Sequence, residues 1–242
     1  MSEFAASVED VATYVLIHGA SSDAWLWHRV VPLLHAAGHD VVTPDLPISD
    51  SEAGIPEYAD AVVAALGDRA TADDLIVVAQ SFGSFTGTVL TQRVPVKLLV
   101  FLSAMAPKEG ETPGEWWEAT DYSRDRQASD ACLGLPADAD LKAVFFHDVP
   151  DDVVAEAWER GEIPQSDRPF APPPMPALPA GLPIRFLVGR DDRFFSIDFQ
   201  RRVVQERLGF APDEMEGGHL EPLAHPEELV RRLEGYRVEV GL

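Results

Sequence analysis

Three short stretches carry residue types that can do nucleophilic chemistry together. The first is Leu75-Ile-Val-Val-Ala-Gln-Ser-Phe-Gly-Ser-Phe85. A run of buried-strand residues ends at Ala79-Gln-Ser81-Phe-Gly83, and a helix-compatible segment follows. A tight strand-to-helix turn lifts one hydroxyl clear of a sheet, and small flanking residues let the backbone pass. The second stretch, Ile184-Arg-Phe-Leu-Val-Gly-Arg-Asp-Asp192, is a β-rich run ending in Gly-x-x-Asp. The third, Glu216-Gly-Gly-His219-Leu220, sets a histidine behind a Gly-Gly hinge at the end of a strand. A serine hydroxyl is a poor nucleophile until a base takes its proton. Ser81, His219 and Asp192 are therefore the expected nucleophile, base and acid.

The other histidines fit that work less well. His28, His35 and His39 lie on or near the first helix and are expected to be solvated or second-layer groups. Gly38 breaks the helix between His35 and His39, which argues against a metal pair. His147 falls in the middle of the chain, where substrate contact is conceivable, and His225 precedes helix-starting Pro226 at the surface. Asp191 adjoins Asp192, but the spacing from Gly189 selects Asp192 and leaves Asp191 as a solvated neighbour. No metal motif, phosphate loop or dinucleotide fingerprint is present, so neither metal nor cofactor is expected.

Six strands must position these groups: Thr13–Ile17, Asp40–Thr43, Leu75–Ala79, Lys97–Leu102, Ile184–Val188 and Phe210–Met215. Most are short apolar runs without alternation, as a parallel sheet covered on both faces requires. Helical segments lie between them. One has Tyr58, Val62, Ala65 and Leu66 on one face and stops at Gly67. Another carries Phe85, Val89 and Leu90 and stops before Pro95, and the last opens at Pro226 with Leu229, Leu233 and Tyr236 on one side. Alternating strands and helices predict a doubly wound α/β fold with a mostly parallel six-stranded sheet.

Residues 105–181 interrupt the pattern. They hold Trp116, Trp117 and Trp158 and end in a run with seven prolines between Pro169 and Pro183, an extended connector back to the core. The expected division is a core of residues 1–104 and 182–242 with a small cap, 105–181, inserted between core strands above the site. An aromatic-lined cap would favour apolar substrates. For any single tryptophan, holding the cap together is the simpler role.

The chain resembles α/β-hydrolases of the small plant methylesterase and hydroxynitrile lyase type, in a bacterial-looking version. The resemblance is carried by Val15-Leu-Ile-His-Gly-Ala20, Trp25-Leu-Trp-His28, Pro32-Leu-Leu-His-Ala-Ala-Gly-His-Asp-Val-Val42, Asp192-Arg-Phe-Phe-Ser-Ile-Asp-Phe-Gln200 and Gly217-Gly-His-Leu220. It spans nearly the whole chain except about Met105 to Gly181. Two departures are Ala79, for the usual first glycine of the elbow, and Ile197, where that family often has proline. The order Ser81, Asp192, His219 is that of the α/β-hydrolase triad. The resemblance implies that Ala20 and Phe82 supply the oxyanion-hole N–H groups, and that Asp192 orients the imidazole. It also bears on the reaction. The plant lyases have Thr after the loop histidine and Lys after the catalytic one. The equivalent positions, Gly19 and Leu220, match the esterase state and are expected to line the substrate pocket. A carboxylesterase acting on a small apolar or aromatic ester is therefore expected, with a hydroxynitrile lyase, or a non-catalytic small-ligand binding protein on the same fold, as the alternatives.

Composition bounds the rest. With 242 residues and 46% hydrophobic content, one α/β domain with a sizeable core is expected. The formal net charge of −22 argues against nucleic-acid or anionic-membrane binding, which needs basic surface. The single cysteine, Cys132, excludes a disulfide within the chain. The N-terminal Met-Ser-Glu-Phe-Ala-Ala-Ser-Val-Glu-Asp lacks the apolar core of a secretory signal, and the first strand follows too soon for a leading antiparallel hairpin. The expectation is a cytoplasmic protein whose partner is a small-molecule ester, with a homodimer left open.

Overall fold

The computed structural model describes residues 11–136 and 138–242, so the expectations for the first ten residues lie outside it. Strand β1 (Thr13–Ile17) is buried at every position, and so is β3 (Leu75–Gln80). Their apolar side chains go both ways because both faces of the sheet are covered. With β2 (Asp40–Val42), β4 (Val96–Leu102), β5 (Ile184–Gly189) and β6 (Asp213–Met215) they form one parallel sheet in the order β2-β1-β3-β4-β5-β6. All six expected strands are present. The sixth starts three residues later than expected, at Asp213. Pro212 has no N–H for the ladder, and Gly209 has only just ended the preceding helix in a left-handed conformation.

The order reverses between β1 and β3. From β1 the chain first builds outward to β2, then returns to add β3 on the other side. Loops at such a point diverge and leave a crevice beyond the carboxyl ends of the strands. His18-Gly19-Ala20 follows β1 and Ser81 follows β3, so both candidates stand at this crevice.

Helices α1 (Val31–Ala36), α2 (Ile55–Leu66) and α3 (Gly83–Leu90) connect the first four strands. In α2 the buried stripe is Ile55, Tyr58, Ala59, Val62 and Leu66. Ala65 is exposed, which corrects the expected face: it lies about 100° around the helix from Leu66. Between β4 and β5 come α4 (Trp116–Ala119), α5 (Tyr122–Leu133), α6 (Leu141–Phe145) and α7 (Asp151–Arg160). Helices α8 (Ile197–Leu208), α9 (Glu221–Ala224) and α10 (Pro226–Glu239) complete the fold. Leu229, Leu233 and Tyr236 are the buried side of α10, as its spacing predicts. Two apolar clusters cover the sheet. One is built around Phe85, Phe101, Trp116 and Phe186, the other around Tyr14, Trp27, Val100 and Leu233. Among the described residues no helix is long and apolar enough to cross a membrane.

The segment between β4 and β5 leans over the carboxyl ends of the strands. Gln165 meets the Ser21 N–H at 3.4 Å, the Phe170 ring lies 4.7 Å from that of Phe82, and the Phe145 ring lies 5.4 Å from that of His219. The three tryptophans differ in burial. Trp116 is fully buried and donates its indole N–H to Ala106 O, whereas Trp158 is 52% exposed.

Candidate active site

The sheet fixes Ser81 through its main chain. Ser81 N–H donates to Leu102 O at 3.0 Å across the β3–β4 ladder, and Ser81 O accepts from Met105 N–H at 3.3 Å. The residue sits at φ +51°, a left-handed conformation that a non-glycine residue adopts at a cost of roughly 1–2 kcal/mol. Small neighbours make the turn possible. A Cβ on Gly83 would lie 2.6 Å from His18 O, and one on Gly87 would lie 2.9 Å from the Ala79 Cβ. Residue 79 must therefore be small, and alanine satisfies that as glycine would.

Asp192 and His219 converge on that hydroxyl. Asp192 Oδ1 accepts the Phe194 and Phe195 N–H groups at 2.7 and 3.0 Å. Its Oδ2 lies 2.7 Å from His219 Nδ1, and His219 Nε2 lies 2.9 Å from Ser81 Oγ. With the Nδ1 proton directed to the carboxylate, the Nε2 lone pair faces the serine O–H. The acid and base loops touch at Gly189, where a Cβ would lie 2.4 Å from both Gly217 O and Gly218 O. Asp192 is 4% exposed, His219 2% and Ser81 9%. The rings of Phe145, Phe194 and Phe195 stand edge-on to the imidazole at 5.3–5.4 Å. Such a dry collar strengthens every charge interaction inside it.

The remaining expected residues lie around this trio. His18 is buried. It donates from Nδ1 to Gly19 O at 2.8 Å and accepts Leu46 N–H on Nε2 at 3.1 Å, and burial holds its pKa below the ordinary imidazole value. It fixes the loop that carries Gly19 and Ala20. Gly19 packs against the nucleophile: a Cβ there would lie 2.9 Å from the Ser81 Cβ and 2.6 Å from Gln80 Oε1. Among the described residues neither Ala20 N–H nor Phe82 N–H takes part in a loop or cap hydrogen bond. Leu220 is half-buried and packs against the apolar cluster around Trp27. Asp191 is exposed. His39 is not among the solvated histidines. It is buried, accepts Ala12 N–H on Nδ1 and meets Glu234 through Nε2, because the turn at Gly38 folds it back under β1. His147 faces Gly218.

Three polar residues with no assigned part in the sequence reading also belong here. Gln80, inside the elbow motif, donates Nε2–H to His219 O at 3.1 Å. Asp148 accepts the Gly218 N–H at 2.6 Å. Glu221, two residues after the imidazole, is fully buried; its Oε1 meets Ser103 Oγ, which also accepts Gly189 N–H at 3.2 Å. Among the described residues its Oε2 has no partner, and burial pushes its pKa well above the usual carboxylate value. An acid set in the apolar run Leu-Glu-Pro-Leu was the one available signal for Glu221. Nothing in sequence marks the other two. Among the described residues no three His, Cys, Asp or Glu side chains converge as a metal site.

The model of the alpha/beta hydrolase family matches residues 14–232. Methylesterase 1 of Arabidopsis thaliana is 32% identical over 110 residues, 41% of this chain and 42% of that protein. The match thus spans about two fifths of that relative's length. A pyrethroid hydrolase of Sphingobium wenxiniae is 29% identical over 249 aligned positions, covering 92% of this chain and 86% of the relative. The crystal structure of polyneuridine aldehyde esterase superposes with a TM-score of 0.74 at 19% identity, over 92% of this chain and 97% of that one.

Proposed function

The chain belongs to the alpha/beta hydrolase family, and on that basis we propose that it is a serine hydrolase of the carboxylesterase type, cleaving a small apolar or aromatic ester. The observation that carries this reading is the unbroken chain from Asp192 Oδ2 through both nitrogens of His219 to Ser81 Oγ, with contacts of 2.7 and 2.9 Å. The names of the relatives, methylesterase and pyrethroid hydrolase, support the substrate class.

In this mechanism His219 Nε2 takes the Ser81 hydroxyl proton as Oγ bonds to the ester carbonyl carbon. The carbonyl oxygen gains the electron pair and is held by the N–H groups of Ala20 and Phe82. Losing one such donor typically costs about 3–4 kcal/mol of transition-state stabilisation. The imidazolium, balanced by Asp192, gives its proton to the departing alcohol oxygen as the C–O bond breaks. Water then repeats the sequence on the acyl-enzyme and restores Ser81. Residues 105–181 act as a cap over the core, 1–104 and 182–242. The phenylalanine edges around His219 supply the apolar surface for the ester, and Gly19 and Leu220 leave the approach to Ser81 uncharged.

The test is a substrate panel of short p-nitrophenyl esters, with labelling by a serine-directed fluorophosphonate. Wild type should hydrolyse the esters and take up label at Ser81. Ser81→Ala should fold normally and lose both. Retention of more than a trace of activity by that variant would overturn the reading. Binding of apolar esters without any turnover or labelling would point instead to a ligand-binding protein.

A further inference from the structure

The run Gly217-Gly218 brings the chain to His219 with two residues of the greatest backbone freedom. Where the imidazole points therefore depends on what holds these peptides. Three consecutive residues are gripped from three directions. Gly217 O accepts Asp191 N–H at 2.9 Å, from the turn after β5. His219 O accepts Gln80 Nε2–H at 3.1 Å, from the end of β3. Gly218 N–H donates to Asp148 Oδ2 at 2.6 Å, from the segment between α6 and α7. The first two grips come from the ends of sheet strands. The third comes from outside the sheet.

The contact around Asp148 is close. His225 Nε2 stands 3.5 Å from Asp148 Oδ2 and His147 Nε2 3.9 Å from Oδ1. A Cβ on Gly217 would lie 2.4 Å from the His225 ring, and one on Gly218 would lie 2.6 Å from His147 Nε2 and 2.8 Å from Asp148 Oδ1. The two glycines thus let the carboxylate reach the main chain of the loop.

We propose that Asp148 is a positioning residue for His219: by holding the Gly218 peptide it aims Nε2 at Ser81, so the base is competent only while the overlying segment is seated. The inference rests on the reading of His219 as the base. It gives residues 105–181 a part in the chemical step in addition to covering the substrate.

The experiment compares Asp148→Asn, Asp148→Ala and Asp148→Leu with wild type. Asparagine keeps an acceptor oxygen; alanine removes it; leucine removes it but fills the space, which guards against loss of folding by the alanine variant. Each is measured for the rate of Ser81 labelling by a fluorophosphonate, for kcat and KM on p-nitrophenyl butyrate, and for thermal unfolding. The alanine and leucine variants should label on the order of 10- to 100-fold more slowly, the range expected when a reacting group is misplaced by about 1 Å. Their kcat should fall in step while KM changes little, and asparagine should recover most of the rate. Labelling of the leucine or alanine variant at the wild-type rate would overturn the proposal. So would an asparagine variant as slow as the other two, because the acceptor oxygen would then be irrelevant. If wild type itself takes up no label, it is the serine-hydrolase reading that fails.

Discussion

Glu221 and Ser103 meet through their side-chain oxygens in a space that solvent does not reach, behind the loop that bears His219. Ser103 spends its hydroxyl on this acid and on Gly189 N–H, and holds φ +37° to do so. The pair links the ends of β4 and β5 to the start of α9. One carboxyl oxygen has no partner among the described residues, and Asp192 and Asp148 are both near enough to disfavour a further negative charge. Burial therefore favours the neutral form of Glu221 in the folded chain.

That charge state predicts a pH dependence of stability. Burial raises the folded pKa of Glu221 above its unfolded value. The folded state then binds the proton more tightly, and the contribution is complete below the ordinary carboxylate pKa. It is lost as pH rises from there through the raised folded value, with a slope of at most about 1.4 kcal/mol per pH unit. Urea unfolding of wild type and Glu221→Gln at pH 5 and pH 8 isolates the effect, since the amide does not titrate. Wild type should lose stability relative to the variant as pH rises. An unchanged gap would mean that Glu221 is ionised when folded.

Asp192→Asn should cost far more activity than Asp191→Asn. Asp192 holds the imidazole at 2.7 Å and is itself locked by two backbone N–H groups. Removing the equivalent carboxylate in a serine protease costs about 10⁴-fold in kcat. Asp191 is exposed and contributes a main-chain N–H that asparagine retains. The reverse ranking in ester hydrolysis would move the acid by one residue.

Gly19→Ala should lower kcat while the protein remains folded. The new Cβ would press on Ser81 Cβ at 2.9 Å and on Gln80 Oε1 at 2.6 Å. Gln80 could swing aside, but its amide also holds His219 O, so relief on one side loosens the other. A loss on the order of tenfold or more is expected for a shift of this kind. Full activity in the alanine variant would show that the site has more room than its packing indicates.

The reaction class is open to a direct measurement at Leu220. Wild type should cleave esters and release little cyanide from mandelonitrile, because an apolar side chain offers no charge to a leaving cyanide. Leu220→Lys keeps an aliphatic stem for the packing around Trp27 and adds an ammonium at its end. Cyanide release should rise in the variant. Efficient, His219-dependent release by wild type would make the lyase the better assignment.

Strands and the convergent trio were legible because their signals are local. The apolar run Leu75–Ala79 and the small residues after it encode both a buried strand and a tight turn. The overlying segment was not legible, for a physical reason. Helix α5 fully buries none of its residues, and Tyr122 at its start is the one that packs against the core, so it has no apolar stripe to read. Asp148 and Phe145 acquire their places only when that segment folds across the sheet. His39 stayed open between a solvated and a second-layer place for the same reason, since its partners Ala12 and Glu234 lie 27 and 195 residues away.

The segment between β4 and β5 leaves and re-enters the sheet at adjacent strands, with Leu102 paired to Leu187. Because the two strands are parallel, the segment leaves at the carboxyl end of β4 and re-enters at the amino end of β5, where Ile184 pairs with Leu99, so it has to cross back along the sheet as well as lie over its end. The hydrogen bond from Gly218 to Asp148 ties that crossing to the loop that bears His219. A segment of different sequence making the same crossing would have to bring its own acceptor to the same peptide, or leave the Gly218 N–H without one.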